Sequence, residues 1–514
     1  MTLDLRVVLR HLALLMLILS ALIAAVAVFA WVDHLTGEPT ELVEPVGMLV
    51  AAFGGTLLGI LLLLPSRRSG PLIAQREALL LVALSWLIGA AISALPFWLW
   101  ATLRAGPDTP THSFESFVNC YFEAMSGLTT TGSTILPAIG TVPPSLLLWR
   151  ALTHWIGGLG IVVLFVAVLP TLGIGSRRAF RIESPGPATA GVVPRVRDTA
   201  RVLWLIYAGL TVAGVLALRL AGMSWFNAVC HTFAGLSGGG FSTHDASITA
   251  FPATAIHLVI IAIMFLGAVD FALYYRLLHH QWREVLTDPQ LRAYVAILLT
   301  AFLLVFLDLA YITPRPGSDG DTTGPAILAR DALFQVVSVQ TTTGYVTADF
   351  NQWGFLSKGI LLCLMFIAGC AGSTSGGLKV IRILIVAKVL LTELERFYRP
   401  KVVRPVRVGT AAIDPALRLN TLVHVLAVAV LFGAGTALLM ILERPAGIDI
   451  TTAASATAAT MNNVGPGLAR VGAVENYAWF SAPSKVVICI LMVLGRLEVF
   501  TILVLFTPRF WKGE

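Results

Sequence analysis

Charge is what this chain has least of. Only 12% of its 514 residues are Asp, Glu, Lys or Arg, about half the share usual in soluble proteins. By contrast 57% are hydrophobic, and the mean hydropathy is +0.84. That balance excludes an ordinary solvated globular surface. Cysteine is nearly as sparse. The five present, Cys120, Cys230, Cys363, Cys370 and Cys489, form an odd set without CxxC spacing and sit in apolar segments. That pattern argues against both a disulfide framework and a cysteine metal cluster.

What is there is a series of apolar runs, each suited to crossing a bilayer, which takes about 20 residues. They fall at 11–31, 46–64, 79–101, 148–170, 202–220, 255–275, 293–312, 357–370, 421–442 and 484–506. The class is an all-α polytopic membrane protein with the lipid bilayer as its solvent. The first run reads as a membrane helix rather than a signal peptide, because Trp31-Val32-Asp33 is not a small-residue cleavage site.

The net charge of +7 would suit nucleic acid, but its distribution argues for topology instead. Lys and Arg crowd the loops at 66–76, 174–201, 276–292 and 396–418, through Arg67, Arg68, Arg177, Arg178, Arg181, Arg195, Arg283, Arg399, Lys401 and Arg404 among others. The alternate connections at 33–45, 103–147, 221–250, 313–330 and 443–483 hold only Arg104, Arg315, Arg330, Arg444 and Arg470. Positive loops stay inside, so both termini are expected in the cytoplasm. No nucleic-acid partner is implied.

Four segments repeat one pattern, weakly polar and ending in glycine: 117–132, 225–240, 329–344 and 450–465. Their last residues, Gly132, Gly240, Gly344 and Gly465, are spaced by 104 to 121 residues. Aligned on them, Asn119 meets Asn227, and Thr129, Thr130 and Thr131 meet Thr341, Thr342 and Thr343. Each segment lies between two spanning runs but is too short and polar to cross lipid itself. Irregular backbone at membrane depth is tolerated only beside protein or a water-filled cavity. The unit is therefore outer helix, pore helix, extended loop, inner helix, four times around one central pore. An N-terminal two-helix hairpin precedes it. The expected divisions are 1–70 for the hairpin and 71–182, 195–285, 286–408 and 409–514 for the repeats.

Such a unit suits a cation. The carbonyl end of a pore helix carries about half a negative charge, and extended backbone beyond it can present carbonyls in place of a hydration shell. Glycine permits the positive φ this requires. No carboxylate lies in TTTGS (130–133 with Thr129), SGGGF (237–241), TTTGY (341–345) or NNVGP (462–466). Neutral oxygens fit a weakly hydrated monovalent ion better than Ca²⁺ or Mg²⁺.

With these four segments, HWIGGLGIVVL (154–164), AGCAGSTSGGLKVIR (368–382) and GRLEVFTILVLF (495–506), the chain resembles the TrkH/KtrB superfamily of potassium uptake proteins over nearly its whole length. The hairpin and the length resemble the TrkH branch. The resemblance implies K⁺ as the transported ion, with no organic cofactor. It also implies a homodimer with one pore per subunit, a bacterial inner membrane, and a cytoplasmic nucleotide-binding gating subunit of the TrkA type. Coordinating positions implied by it are Thr130, Thr131 and Gly132; Gly238, Gly239 and Gly240; Thr342, Thr343 and Gly344; Asn463, Val464 and Gly465. In such proteins glycine at all four ends goes with potassium and serine at the first with sodium. Here the first is Gly132. A Na⁺-coupled or Na⁺-permeable transporter is the alternative.

Two further features stand below the filters. The run after the third is broken by Gly369, Gly372, Gly376 and Gly377, with Ser373, Thr374 and Ser375 between. Each glycine costs a helix about 1 kcal/mol relative to alanine. Either a loop or a kinked, packed helix would result, and the resemblance implies an intramembrane gating loop. Arg496, in the last inner helix, is the second. A membrane arginine is functional by default, and the resemblance implies a gating role. Pairing with Glu498, or reaching to the inner interface, is the other reading. Lys379 and Arg382 follow the glycine-rich stretch. Lys379 belongs with the gating residues or marks the cytoplasmic end of that helix.

Other motifs are weaker. The stretch 235–239 matches GxSxG, with Ser237 as nucleophile and His231, His244 and Asp245 nearby. An intramembrane serine hydrolase would need a strand–turn–helix context there, which two flanking membrane helices do not provide. Asp270 and Asp308 occur once each and read as caps or structural partners. His279 and His280 lie in a basic loop and read as a solvated face.

Overall fold

The structure, a computed structural model, describes residues 3–36, 42–66, 73–107, 110–160, 196–312, 324–401, 405–409, 411–497 and 499–512. Several features of the sequence lie outside these residues: Arg67, Arg68, Arg177, Arg178, Arg181, Arg195, Arg404, Glu498, the stretch 161–164 and the division between the first two repeats. Among the described residues the architecture is helical, and the only strand pairing joins Arg407–Val408 to Ala411–Ala412.

The hairpin consists of Leu5–Thr36 and Val43–Ser66. Small residues let its helices close up. A side chain at Gly59 would run into Leu17, and one at Gly55 into Ser20, the kind of contact that drives helix association in lipid. The hairpin packs on the outer helix of the first repeat, Gln75–Arg104.

Among the described residues a long helix, a short helix and a further helix then follow in this order four times. Outer helices are Gln75–Arg104, Val196–Leu220, Pro289–Leu307 and Pro415–Leu442. Pore helices are Phe117–Leu128, Trp225–Leu236, Pro325–Gln340 and Ile450–Met461. Three of the pore helices have 12 residues, about 18 Å at 1.5 Å per residue, or half a bilayer. Their starts are set locally. Ser224 accepts from the Asn227 N–H, Asp449 accepts from the Thr452 N–H, and Pro325 opens the third.

Two of the inner helices depart from expectation: the runs 255–275 and 484–506, read as single spans, are interrupted, while the third is broken as expected. Thr254–Gly267 turns by 95° into Phe271–Leu278, and Ala482–Arg496 turns by 119° into Val499–Phe506. Phe355–Met365 stops and the chain resumes helix only at Val380–Tyr398. The inner helix of the first repeat, Pro144–Gly158, leaves helix by Gly160. Apolarity reports burial, not straightness, so a hydropathy run cannot reveal such a bend. Asp270 stands at one of them as an N-cap, accepting from the Ala272 N–H at 2.9 Å.

Candidate ion-conduction site

The four glycine-ended segments finish their pore helices in the same way. In each, the N–H five residues beyond a helical carbonyl closes on it: Thr131 on Ser126, Gly239 on Ala234, Thr343 on Ser338 and Val464 on Ala459, at 2.7 to 2.9 Å. The residue before donates three positions back: Thr130 to Gly127, Gly238 to Gly235, Thr342 to Val339 and Asn463 to Thr460. This is a Schellman cap, whose turning residue takes left-handed φ. Here φ is 53° at Thr130, 74° at Gly238, 59° at Thr342 and 55° at Asn463. Two positions on, φ is positive again: 83° at Gly132, 75° at Gly240, 78° at Gly344 and 95° at Gly465. The glycine-ended stretch is thus an extension of the helix cap. Left-handed backbone at a β-branched threonine costs about 1–3 kcal/mol and marks functional sites.

The four caps close on one another in order. A Cβ at Gly132 would strike the Gly239 carbonyl oxygen, one at Gly240 that of Thr343, one at Gly344 that of Val464, and one at Gly465 that of Thr131, the last at 2.6 Å. The first segment therefore meets the second, the second the third, the third the fourth, and the fourth the first. Above them opens a mouth of about 100 Å³ with Gly132, Gly240, Gly344 and Gly465 all in its lining. Asp245 and Glu475 share that lining, and Asp245 accepts from the Ile139 N–H at 2.5 Å. All twelve positions named from the sequence lie in this ring or its caps. The glycine-rich second segment is included.

Below the ring runs residues 366–379, outside any helix. The chain is a loop there and not a kinked helix. Ser375 Oγ donates to the Thr341 carbonyl at 3.0 Å, and the Gly376 N–H donates to Thr342 Oγ1 at 2.9 Å. A Cβ at Gly376 would meet the Asn463 side chain at 2.7 Å. Thr374 Oγ1 reaches the carbonyls of Leu236 and Gly267 at 3.0 and 2.9 Å. Gly372, at φ 77°, lies against the Asp270 carboxylate. Gly369 lies against Ala268, and Ser373 Oγ closes on the Cys370 carbonyl at 2.6 Å. Lys379 is buried, bonds the Ser375 carbonyl and stands at the junction of the loop with Val380–Tyr398, as that helix's N-cap. Arg382 instead contacts His424 at 3.0 Å.

Arg496 ties this loop to the rest. Its guanidinium donates to Thr374 O at 2.7 Å, Gly157 O at 2.6 Å and Gly158 O at 2.7 Å. One side chain thereby joins the end of the last inner helix, the loop of the third repeat and the end of the first inner helix. A planar guanidinium offers several donors in a fixed fork, which suits such a junction.

A family model described as "TrkH: Cation transport protein" matches residues 74–512. The chain belongs to the TrkH family. Among relatives, the Trk system potassium uptake protein TrkH of Halomonas elongata is 37% identical over 470 residues, 90% of this chain and 92% of that one. The protein of the same description from Escherichia coli K12 is 37% identical over 466 residues, 90% of this chain and 91% of that one. The crystal structure of the potassium transporter TrkH from Vibrio parahaemolyticus superposes with a TM-score of 0.83 at 33% identity, over 99% of this chain and 100% of that one.

TrkH-family membership makes this a transport protein and not an enzyme. The GxSxG coincidence agrees, since Ser237 Oγ donates to the Ala234 carbonyl while the His231 ring bonds Asn227 O and Ser242 Oγ. His231 has a different meaning. It stands nine residues before its terminal glycine, where the first repeat has Glu123 and the third Gln335. Glu123 reaches forward to Thr134 Oγ1 and the Ile135 N–H, both at 2.9 Å, as His231 does to Ser242 at 3.0 Å. Each pins the chain just beyond its terminal glycine.

Glu123 also meets Arg150 at 2.6 Å, both buried, and Arg150 donates to Ser242 O at 2.9 Å. Sequence reading missed this pair, because its members are of ordinary type and stand 27 positions apart. Also missed were Gly157, Gly267 and Gly495. Each admits the last carbonyl of a pore helix, Leu128, Leu236 and Met461 respectively, where a side chain would stand. Their recurrence 25 to 30 residues after the filter glycine was available as a signal.

Proposed function

We propose that this chain is the pore-forming subunit of a potassium uptake system, conducting K⁺ inward across a bacterial inner membrane. The observation that carries the reading is the closed ring of four helix caps, each terminal glycine meeting a backbone carbonyl of a neighbouring segment. Such a ring replaces water around a monovalent cation without an acidic residue to hold it tightly. The coordinating set is Thr130, Thr131, Gly132, Gly238, Gly239, Gly240, Thr342, Thr343, Gly344, Asn463, Val464 and Gly465. The relatives described as potassium uptake proteins support potassium as the ion. Inward movement draws on the membrane potential, worth about 2.3 kcal/mol per charge per 100 mV.

The loop at 369–377, Lys379 and Arg496 form the gate. Arg496 holds the loop below the ring, and its charge opposes a cation there. A cytoplasmic nucleotide-binding subunit of the TrkA type acts on the inner ends of these helices, and two chains assemble as a homodimer. Both termini face the cytoplasm.

The test is Rb⁺ and Na⁺ uptake by the purified protein in liposomes. Wild type is expected to take up Rb⁺ well ahead of Na⁺. Gly132→Ser, whose Cβ strikes the Gly239 carbonyl, is expected to narrow that ratio. Equal uptake of both ions by wild type would overturn the potassium reading.

A further inference from the structure

The second filter segment is alone in having three glycines in a row, Gly238, Gly239 and Gly240. Two of them are explained by backbone. Gly238 and Gly240 hold φ of 74° and 75°, where side chains are disfavoured. Gly239 is outside the left-handed region, and the equivalent positions carry side chains, Thr131, Thr343 and Val464. Conformation does not require glycine at 239.

A neighbour does. The ring of His154, on the inner helix of the first repeat, fills the place of the missing side chain; its Cγ and Cε1 lie 2.5 and 2.6 Å from an added Cβ. His154 is fully buried and stacks on Phe241 at 4.1 Å between ring centroids, with an interplanar angle of 17°. One face of the same helix keeps step with the whole segment. Arg150 sits 3.6 Å over the Phe241 ring and bonds Ser242 O, His154 faces Gly239, and Gly158 faces Ser237. Residues four apart on a helix advance about 6 Å, close to two residues of extended chain. The helix is a splint laid along the filter.

We propose that His154 is a specificity-determining positioning residue: its ring substitutes for the side chain absent at Gly239 and holds the most flexible quarter of the filter in register. The proposal rests on the selectivity reading above. Without the ring, three successive glycines face a cavity and lose the rigidity that the other segments draw from their own side chains.

The experiment compares Rb⁺ with Na⁺ uptake in liposomes for full-length wild type, H154A, H154F, G239A and H154A/G239A, each checked for a monodisperse elution profile. H154A and G239A are each expected to lower the Rb⁺/Na⁺ ratio by about tenfold, from a cavity and a clash respectively. H154F keeps the ring and the ratio. The double variant places a methyl group in the vacated space and recovers to within about threefold of wild type. A wild-type ratio in H154A, or losses that simply add in the double variant, overturns the proposal. If H154A does not elute as a single species, the comparison of G239A with the double variant decides: recovery supports the proposal and no recovery overturns it. Failure of wild type itself to discriminate would count against the selectivity reading and not against His154.

Discussion

Arg150 and Glu123 show how much a single pair can hold behind a filter. Each is out of water, and Glu123 satisfies Arg150, Thr134 and Ile135 together. Removing one partner of a buried pair leaves an uncompensated charge and costs about 3–5 kcal/mol. Arg150→Met is accordingly expected to lower the midpoint of thermal unfolding in detergent by many degrees, and so is Glu123→Gln, which leaves the Arg150 charge uncompensated and whose amide nitrogen cannot accept a hydrogen bond. Indistinguishable midpoints for wild type and Arg150→Met would show that the pair contributes nothing net. At this scale the sequence was only partly legible. Filter glycines announce themselves because positive φ selects for their residue type. Thr130 and Thr342 adopt the same φ without such a mark, because surrounding bonds impose it. One of these is the Gly376 N–H on Thr342 Oγ1.

At the scale of elements, hydrogen bonds join the broken inner helix to Arg496. Thr374 contributes on both sides, its hydroxyl bonding Leu236 and Gly267 and its carbonyl accepting from Arg496. Bonds to a charged group contribute about 1.5–3 kcal/mol each and neutral ones about 1. Arg496→Ala is therefore expected to raise Rb⁺ flux through the isolated subunit by tenfold or more. Thr374→Val, which keeps the carbonyl and loses the hydroxyl, should raise it less. Flux unchanged or reduced in Arg496→Ala, measured at matched reconstitution, would make the arginine a structural strut. The glycine cluster was readable as a break because helix propensity is local. What the loop touches was not readable, since Thr341, Asp270 and Asn463 belong to other repeats or distant positions. The inner-helix bends were hidden for the same reason.

At the scale of the whole molecule, the alternation of basic and neutral loops sets an orientation that labelling can check. In a cysteine-free background, a cysteine at exposed Glu284 is expected to react with a membrane-impermeant thiol reagent only from the cytoplasmic side. One at exposed Val474, beside the outer mouth, should react only from outside. The reverse pattern would invert the topology. The fold at this scale was the most legible of all, because four copies of one unit repeat their hydropathy and their glycines at matched intervals. The splint of Arg150, His154 and Gly158 was not, because its partners lie 79 to 92 positions away.

Each terminal glycine leans on an oxygen of the next segment, in the same rotational sense around the axis and with no gap at the join between last and first. An arch of this kind carries load in a circle. Displacing one stone bears on all four, so a single substitution in any quarter is expected to disturb the ring as a whole. Yet because the quarters share one polypeptide, each can be cut to a different shape, as a symmetric tetramer of identical chains cannot.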